Sequence, residues 1–294
     1  MDKGFEASAV KEVNGFRPRA DEPQAERAQA LTPLHAEEIQ RNLKTARLGK
    51  KIHYFTEIDS TNVHACELAR QGSAHGEIVI AEAQRRGKGR LGRRWISPPY
   101  RNLYLSAILR PRLAPRHTPQ LTLMSAVALA ETVQSFIVDA PEIKWPNDIL
   151  VKGKKLAGIL TEASCEGDST LFVVVGIGVN LNYPQEIMPE SIRERATSIM
   201  SLIGRPVERE SFAGRLIQSL DQCYGDLEES GFGSIVTRWE RFFYLRGKRV
   251  RVEGPDGSVS GRAMGIDVDG ALLLEDEKGA SQRVVAGDVV PVDT

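Results

Sequence analysis

The sequence predicts an α+β fold: a central mixed or antiparallel sheet with helices, followed by a small C-terminal β-barrel. Three observations predict it. Strand-like and helix-like runs come in clusters without strict alternation, which disfavours a doubly wound parallel sheet. Mid-chain strand runs are joined by connections as short as Lys152-Gly153-Lys154, the mark of antiparallel hairpins. From Arg246 the texture changes to five short strand-like runs, with turns at Pro255-Asp256-Gly257, Asp269-Gly270 and Lys278-Gly279.

The elements follow in chain order. Residues 1 to about 33 are polar and mixed in charge without periodicity, and read as a mobile tail. Ala36 to Thr45 reads as one short helix, so 1–45 is expected to be a tail with a helix, 46–245 a central domain and 246–294 the barrel. In the central block, "KIHYFTEIDS" reads as a strand leading to a turn. "STNVHACELARQG" reads as a helix capped by Asp59 or Ser60 and closed by Gly72. Strands are expected at "EIVIAEAQ" and "NLYLSAILRP", then a long buried helix from Pro119 to Ile137. Three β-rich runs come next, "EIKWPNDILV", "KLAGILTEAS" and "TLFVVVGIGVNL", with helices near Glu210–Glu229 and Gly233–Phe243.

Composition narrows the function. The 294 residues carry zero formal net charge, so no global field draws the chain to nucleic acid or membrane. The local pattern differs: between Ala83 and Ala130 there is no Asp or Glu, while ten Lys and Arg fall there. One acid-free basic stretch in a neutral protein points to a small anion. The C-terminal segment 247–294 holds six Lys/Arg against nine Asp/Glu, which argues against nucleic-acid binding by the barrel. Three widely spaced cysteines suggest reduced thiols and a cytoplasmic protein. No zinc or serine-hydrolase motif, signal peptide or membrane-length apolar run appears.

The densest motif is "RRGKGRLGRRW" (Arg85–Trp95), with three glycines and six cations in eleven residues. Gly87 to Gly92 satisfies G-x-G-x-x-G and nearly the P-loop spacing, yet both need a helix directly after them. Ser97-Pro98-Pro99 blocks one, no acid follows to hold a ribose, and Arg93-Arg94 stand where a P-loop has Lys-Ser/Thr. What remains is an anion-binding loop of free backbone and forked cations. A solvated basic turn is the plainer alternative. "DSTN" (Asp59–Asn62), "KWPND" (Lys144–Asp148), "KKLAGIL" (Lys154–Leu160) and "GIGVN" (Gly176–Asn180) add hydroxyls, amides and one lysine at strand and helix ends.

Together these segments closely resemble the biotin protein ligase family, in the form without an N-terminal DNA-binding domain, over about Lys51 to Val292. The family loop usually reads G-R-G-R; here Lys88 keeps the charge of the first arginine and loses its planar fork. The resemblance implies a class II synthetase-like core with an SH3-like barrel. It implies a ligase that forms biotinyl-AMP from biotin and ATP with Mg2+, then biotinylates a lysine of a biotin carboxyl carrier protein of acetyl-CoA carboxylase. By position, Ser60, Thr61, Asn62, Gln84, Gly87, Lys88, Gly89, Arg90 and Lys155 would hold biotin. Lys88, Arg90, Trp95, Asn147 and Asn180 would hold the nucleotide, and Arg90, Lys155 and Asp148 would act in catalysis. Trp95 is expected as an adenine platform and Asp148 as the group that orients or deprotonates the acceptor amine. A monomer or a homodimer is expected, with no DNA and no membrane partner. The competing readings are a lipoate or octanoate transferring enzyme of the same superfamily, a biotin-sensing DNA-binding repressor, and a nicotinamide redox enzyme.

Overall fold

The computed structural model describes residues 32–254 and 257–292. The expected tail thus lies almost wholly outside the described residues, as do Pro255 and Asp256 of one expected turn. The chain enters through helix α1 (Ala36–Asn42), strand β1 (Ile52–Ile58), helix α2 (Thr61–Arg70), and strands β2 (Ile78–Gln84) and β3 (Leu103–Leu109). Helix α3 (Pro119–Gln134) precedes β4 (Glu142–Lys144), β5 (Asp148–Val151), β6 (Lys154–Glu166) and β7 (Ser169–Val179). Two short helices, α4 (Glu190–Arg193) and α5 (Ile199–Ile203), lead to α6 (Arg209–Ser230) and α7 (Phe232–Glu240).

The seven strands form one sheet in the order β1-β2-β3-β7-β6-β5-β4. Only β1 and β2 run parallel, joined by α2; the other pairs are antiparallel, so the sheet is mixed, as expected. Lys152 and Gly153 both have positive φ (51° and 73°), the geometry a two-residue turn needs to follow the twist of β5 and β6. The run "EIKWPNDILV" divides into β4 and β5, turned by Trp145-Pro146-Asn147 with a cis peptide before Pro146.

Helix α3 is apolar on nearly every face and accordingly buried; Leu121, Ala126 to Ala130 and Val133 are fully enclosed between the sheet and α6 and α7. One apolar core runs from these residues through Trp145 into Val250, Val252 and Leu272 of the C-terminal sheet. That sheet comprises β8 (Arg249–Gly254), β9 (Gly257–Ile266), β10 (Leu272–Glu275), β11 (Ser281–Val284) and β12 (Asp288–Pro291), in the order β11-β10-β9-β8-β12. All its pairings are antiparallel, and the five strands match the small barrel the turn signals predict. The barrel is pinned to the larger unit by Trp145 Nε1 donating to the Gly270 carbonyl (3.1 Å) and Gln120 Nε2 donating to the Val268 carbonyl (3.3 Å).

A buried ion pair anchors the N-terminal side. Glu82 on β2 is fully enclosed, and Arg209 at the start of α6 meets it at 2.7 Å. The same carboxylate accepts from the Leu34 amide and the Tyr54 hydroxyl, while Arg209 also donates to the Asn102 carbonyl. Both carboxylate oxygens and both terminal guanidinium nitrogens thereby find partners close by, which makes the buried charges tolerable.

Candidate functional site

A cavity of about 560 Å3 opens where the ends of β2, β6 and β7 meet the glycine loop and the edge of the barrel. Of the residues singled out by sequence, all but Gly87 line it. Its two ends differ chemically. One end is neutral and rich in donors and acceptors: Ser60, Thr61, Asn62 and Gln84. Ser60 stands at the N-cap of α2 with extended backbone, yet its side chain makes no capping bond. It is a cavity-facing hydroxyl, which departs from the capping role its position suggests. The Gln84 carbonyl oxygen accepts from the Thr61 amide (2.9 Å) and hydroxyl (3.1 Å), and its amide donates to Ser97 (3.0 Å). Asn62 accepts from Ser106 (2.6 Å) and donates to the Leu160 carbonyl (3.1 Å) and to Glu162 (2.9 Å).

The floor between the ends is made of glycine. Gly158 on β6 pairs with Gly178 on β7, and Leu160 with Gly176, so the small residues fall on neighbouring rows of the sheet. A Cβ at Gly176 would lie 1.9 Å from Asn62 Oδ1, and one at Gly178 2.6 Å from the Trp95 indole. Trp95 therefore lies flat on the floor, with its Nε1 buried and without an acceptor among the described residues. Lys155 sits over the same ring at 5.5 Å.

The other end is cationic. Arg90, Arg93, Arg94, Lys144, Lys155 and Arg195 line it against Asp148, Glu194 and Asp288, while Lys88 lines the cavity nearer the neutral end, 3.4 Å from Glu162. Lys155 Nζ meets Asp148 at 2.7 Å, and Lys144 lies directly across the β4–β5 hairpin from Asp148. Burial pushes the Lys144 ammonium below its ordinary pKa; Asp148 opposes this, and Lys155 and Arg93 reinforce it. Burial likewise lowers Arg90, opposed by Asp148 and reinforced by Arg93. Crowded, partly desolvated cations of this kind gain most from an anion entering among them.

The glycine loop is a tight turn closed on itself. The Trp95 amide donates to the Gly87 carbonyl (2.9 Å) and the Gly89 amide to the Arg93 carbonyl (2.7 Å). Gly87 is off the cavity wall; a Cβ there would strike the Trp95 carbonyl at 2.5 Å, so its smallness serves the turn. Arg90 donates to Asn147 Oδ1 (2.9 Å) and to the Gly287 carbonyl (3.1 Å), and Arg93 pairs with Asp288. Asn147 in turn donates to the Ile159 carbonyl (2.8 Å), and Asn180 to the Thr197 carbonyl (3.0 Å). The loop is thus stitched to both the central sheet and the barrel. Among the described residues no three His, Cys, Asp or Glu side chains converge as metal ligands. Of the cavity's three carboxylates, Asp148 and Asp288 are each paired with a cation, which leaves Glu194 alone, so this donor set does not fit a resident magnesium ion.

The sequence alone does not point to Ser106, Glu162 or Asp288, and it gives no role to Lys144, Gly158, Gly176 and Gly178, which fall within its motifs. The paired glycines carried a signal, since glycine inside a strand marks a close approach. Ser106, Glu162 and Asp288 read locally as ordinary polar strand residues.

The comparisons with known proteins point the same way. The family model described as "Biotin/lipoate A/B protein ligase family" matches residues 54–180, and "Biotin protein ligase C terminal domain" matches 246–290. The chain is 35% identical over 256 residues to the "Bifunctional ligase/repressor BirA" of Bacillus subtilis, covering 87% of this chain and 78% of that one. It is 34% identical over 234 residues to the "Biotin--[acetyl-CoA-carboxylase] ligase" of Paracoccus denitrificans, covering 79% of this chain and 96% of that one. The structure of the Aquifex aeolicus biotin protein ligase in complex with biotin and ATP superposes with a TM-score of 0.71 at 26% identity, over 83% of this chain and 100% of that one.

Proposed function

The chain belongs to the biotin/lipoate A/B protein ligase family, and on that premise we propose that it activates biotin with ATP and transfers it to a lysine of the biotin carboxyl carrier protein of acetyl-CoA carboxylase. The single observation that carries this reading is the two-ended cavity. A neutral hydrogen-bonding end, an uncharged floor and a cationic end follow in the order of a ureido head, an acyl tail and a phosphate. Its volume suits a small-molecule site of the usual size, roughly 300–1,000 Å3.

In the first step a carboxylate oxygen of biotin attacks the α-phosphorus of ATP, and the bond to pyrophosphate breaks. Both reactants are anions, so Arg90 and Lys155 lower the barrier by screening them. Ser60, Thr61, Asn62 and Gln84 bind the head, with Lys88 and the main chain at Gly89 closing over the acid, while Gly87 shapes the turn. Asn147 and Asn180 hold the nucleotide, and Trp95 covers it once the indole leaves the glycine floor. Magnesium would enter with the nucleotide, as the counter-ion of its phosphates. In the second step the acceptor amine attacks the acyl carbon and AMP leaves. Asp148 orients or deprotonates that amine. Residues 46–245 form the catalytic unit and 246–294 the barrel that holds its loop. We place the enzyme in the cytoplasm, as a monomer or homodimer without a DNA or membrane partner.

ATP–pyrophosphate exchange with biotin, lipoate, octanoate or no acid tests the reading. Exchange with biotin alone supports it. Exchange with lipoate or octanoate instead moves the enzyme to the lipoate branch, and exchange with none refutes acid activation.

A further inference from the structure

We propose that Glu162 is a positioning residue that sets the direction of the Asn62 amide and seats Lys88, coupling loop closure to the head-group end of the cavity. The proposal rests on the biotin-activating reading above.

Glu162 lies on β6 seven residues beyond Lys155, and its side chain is about one-third exposed. Its two carboxylate oxygens face two different elements. Oε2 accepts from Asn62 Nδ2 at 2.9 Å, and Oε1 lies 3.4 Å from Lys88 Nζ. Asn62 is only 4% exposed, so the direction of its amide is decided by its neighbours and not by water. With Leu160 and Glu162 both accepting from Nδ2, the amide oxygen must point at Ser106 and the Gly176 wall. Reversing the amide would set its oxygen against a carbonyl and a carboxylate together. Glu162 thereby fixes which edge of Asn62 is an acceptor.

The second contact concerns the loop. Lys88 stands where the family's arginine usually stands, and a lysine is a point charge without a fork. Here its ammonium is drawn to Glu162, towards the neutral end of the cavity, while Arg90 and Lys155 occupy the cationic end. Lys88 then acts as a latch of the loop onto β6 in the empty site, in addition to closing over the acid when it is bound. One carboxylate serves both the pocket wall and the latch, so loop closure and head-group binding depend on the same residue.

Two substitutions separate these contacts. Glu162→Gln keeps an acceptor for Asn62 and removes the charge seen by Lys88. It is expected to leave the KM for biotin within about two-fold and to speed release of biotinyl-adenylate by about two- to five-fold, the range of a partly exposed ion pair. That acceleration should vanish in a Lys88→Met background. Glu162→Ala removes both contacts and should raise the KM for biotin by about ten-fold or more, as loss of a hydrogen bond to a charged group implies, with kcat of exchange changed by less than about two-fold. Amide hydrogen exchange at Gly89 and Trp95 in the ligand-free protein gives a readout independent of the acid; Glu162→Gln should speed it. Additive effects of Glu162→Gln and Lys88→Met, a KM unchanged in Glu162→Ala, or unaltered loop exchange would each overturn the proposal. Failure of the parent enzyme to exchange with biotin would instead overturn the reading of its substrate, while the loop-exchange result would still decide the latch.

Discussion

Replacing Gly176 by alanine probes the head-group end of the site at its tightest point. The new Cβ would sit 1.9 Å from Asn62 Oδ1 and 2.6 Å from Cγ, far inside ordinary contact, so Asn62 must swing away. Its side chain is held by the Ser106 hydroxyl, the Leu160 carbonyl and the Glu162 carboxylate. Two of these are neutral hydrogen bonds, each contributing about 0.5–1.5 kcal/mol, and one is charge-assisted, contributing about 1.5–3 kcal/mol. Partial repair by water and by Thr61 Oγ1, 2.8 Å from the Ser106 hydroxyl and able to take its single proton instead, leaves an expected loss of about 2–4 kcal/mol. At about 2–4 °C per kcal/mol for a chain approaching this size, the Tm should fall by about 4–16 °C. Biotin at a hundred times its Kd stabilises the parent by about 2.7 kcal/mol, and the variant should show little of that gain because its acceptor edge has moved. Thermal unfolding with and without biotin measures both effects. A variant with parental Tm and parental biotin stabilisation would refute the argument that Asn62 is locked against the Gly176 wall.

Four further outcomes are expected. Arg90→Gly removes the bonds to Asn147 and Gly287 that hold the loop to sheet and barrel, and should release free biotinyl-AMP that labels nearby lysines indiscriminately; retention of the intermediate at the parental level contradicts this. Asp148→Asn should spare adenylate formation and slow transfer to the carrier, measured by single-turnover kinetics of each half-reaction; equal loss of both steps removes Asp148 from the amine-activating role. Arg209→Met strands the Glu82 charge in the core and should cost about 3–5 kcal/mol, whereas replacing both partners by apolar residues should recover much of it, a contrast that urea unfolding will reveal. Burial raises the Glu77 carboxyl, but His53, the Ala74 amide and Lys51 together outweigh it and hold the group at about 2, below its ordinary 4.5. Its folded-state pKa is depressed, so its stabilisation is full above pH 4.5 and is lost as the pH falls towards 2; Glu77→Gln should flatten the Tm profile across that window.

Much of the fold was legible because it is written locally. The all-round apolarity of 119–134 requires a buried helix, and the turn residues after Arg246 divide that segment into five strands. The short helices at Glu190 and Ile199 were not legible, since four- and five-residue helices depend on what they pack against. In the site, the hydroxyls and amides of 60–62 and the cations of 85–94 declare their chemistry in sequence. Their arrangement does not follow from it. Arg90 reaches the Gly287 carbonyl across 197 residues of chain, and Gly158 faces Gly178 only because β6 and β7 pair in one register. Ser60 reads as a helix cap and becomes a cavity hydroxyl; Trp95 reads as an adenine platform, and its resting place on the glycine floor is not legible in the sequence. The sequence by itself determined which charges, donors and element types are present, because those are properties of residues and their near neighbours. Which of them face one another, and hence where the neutral and cationic ends of the cavity lie, was decided by strand register and by the docking of the barrel, which only long-range packing can set.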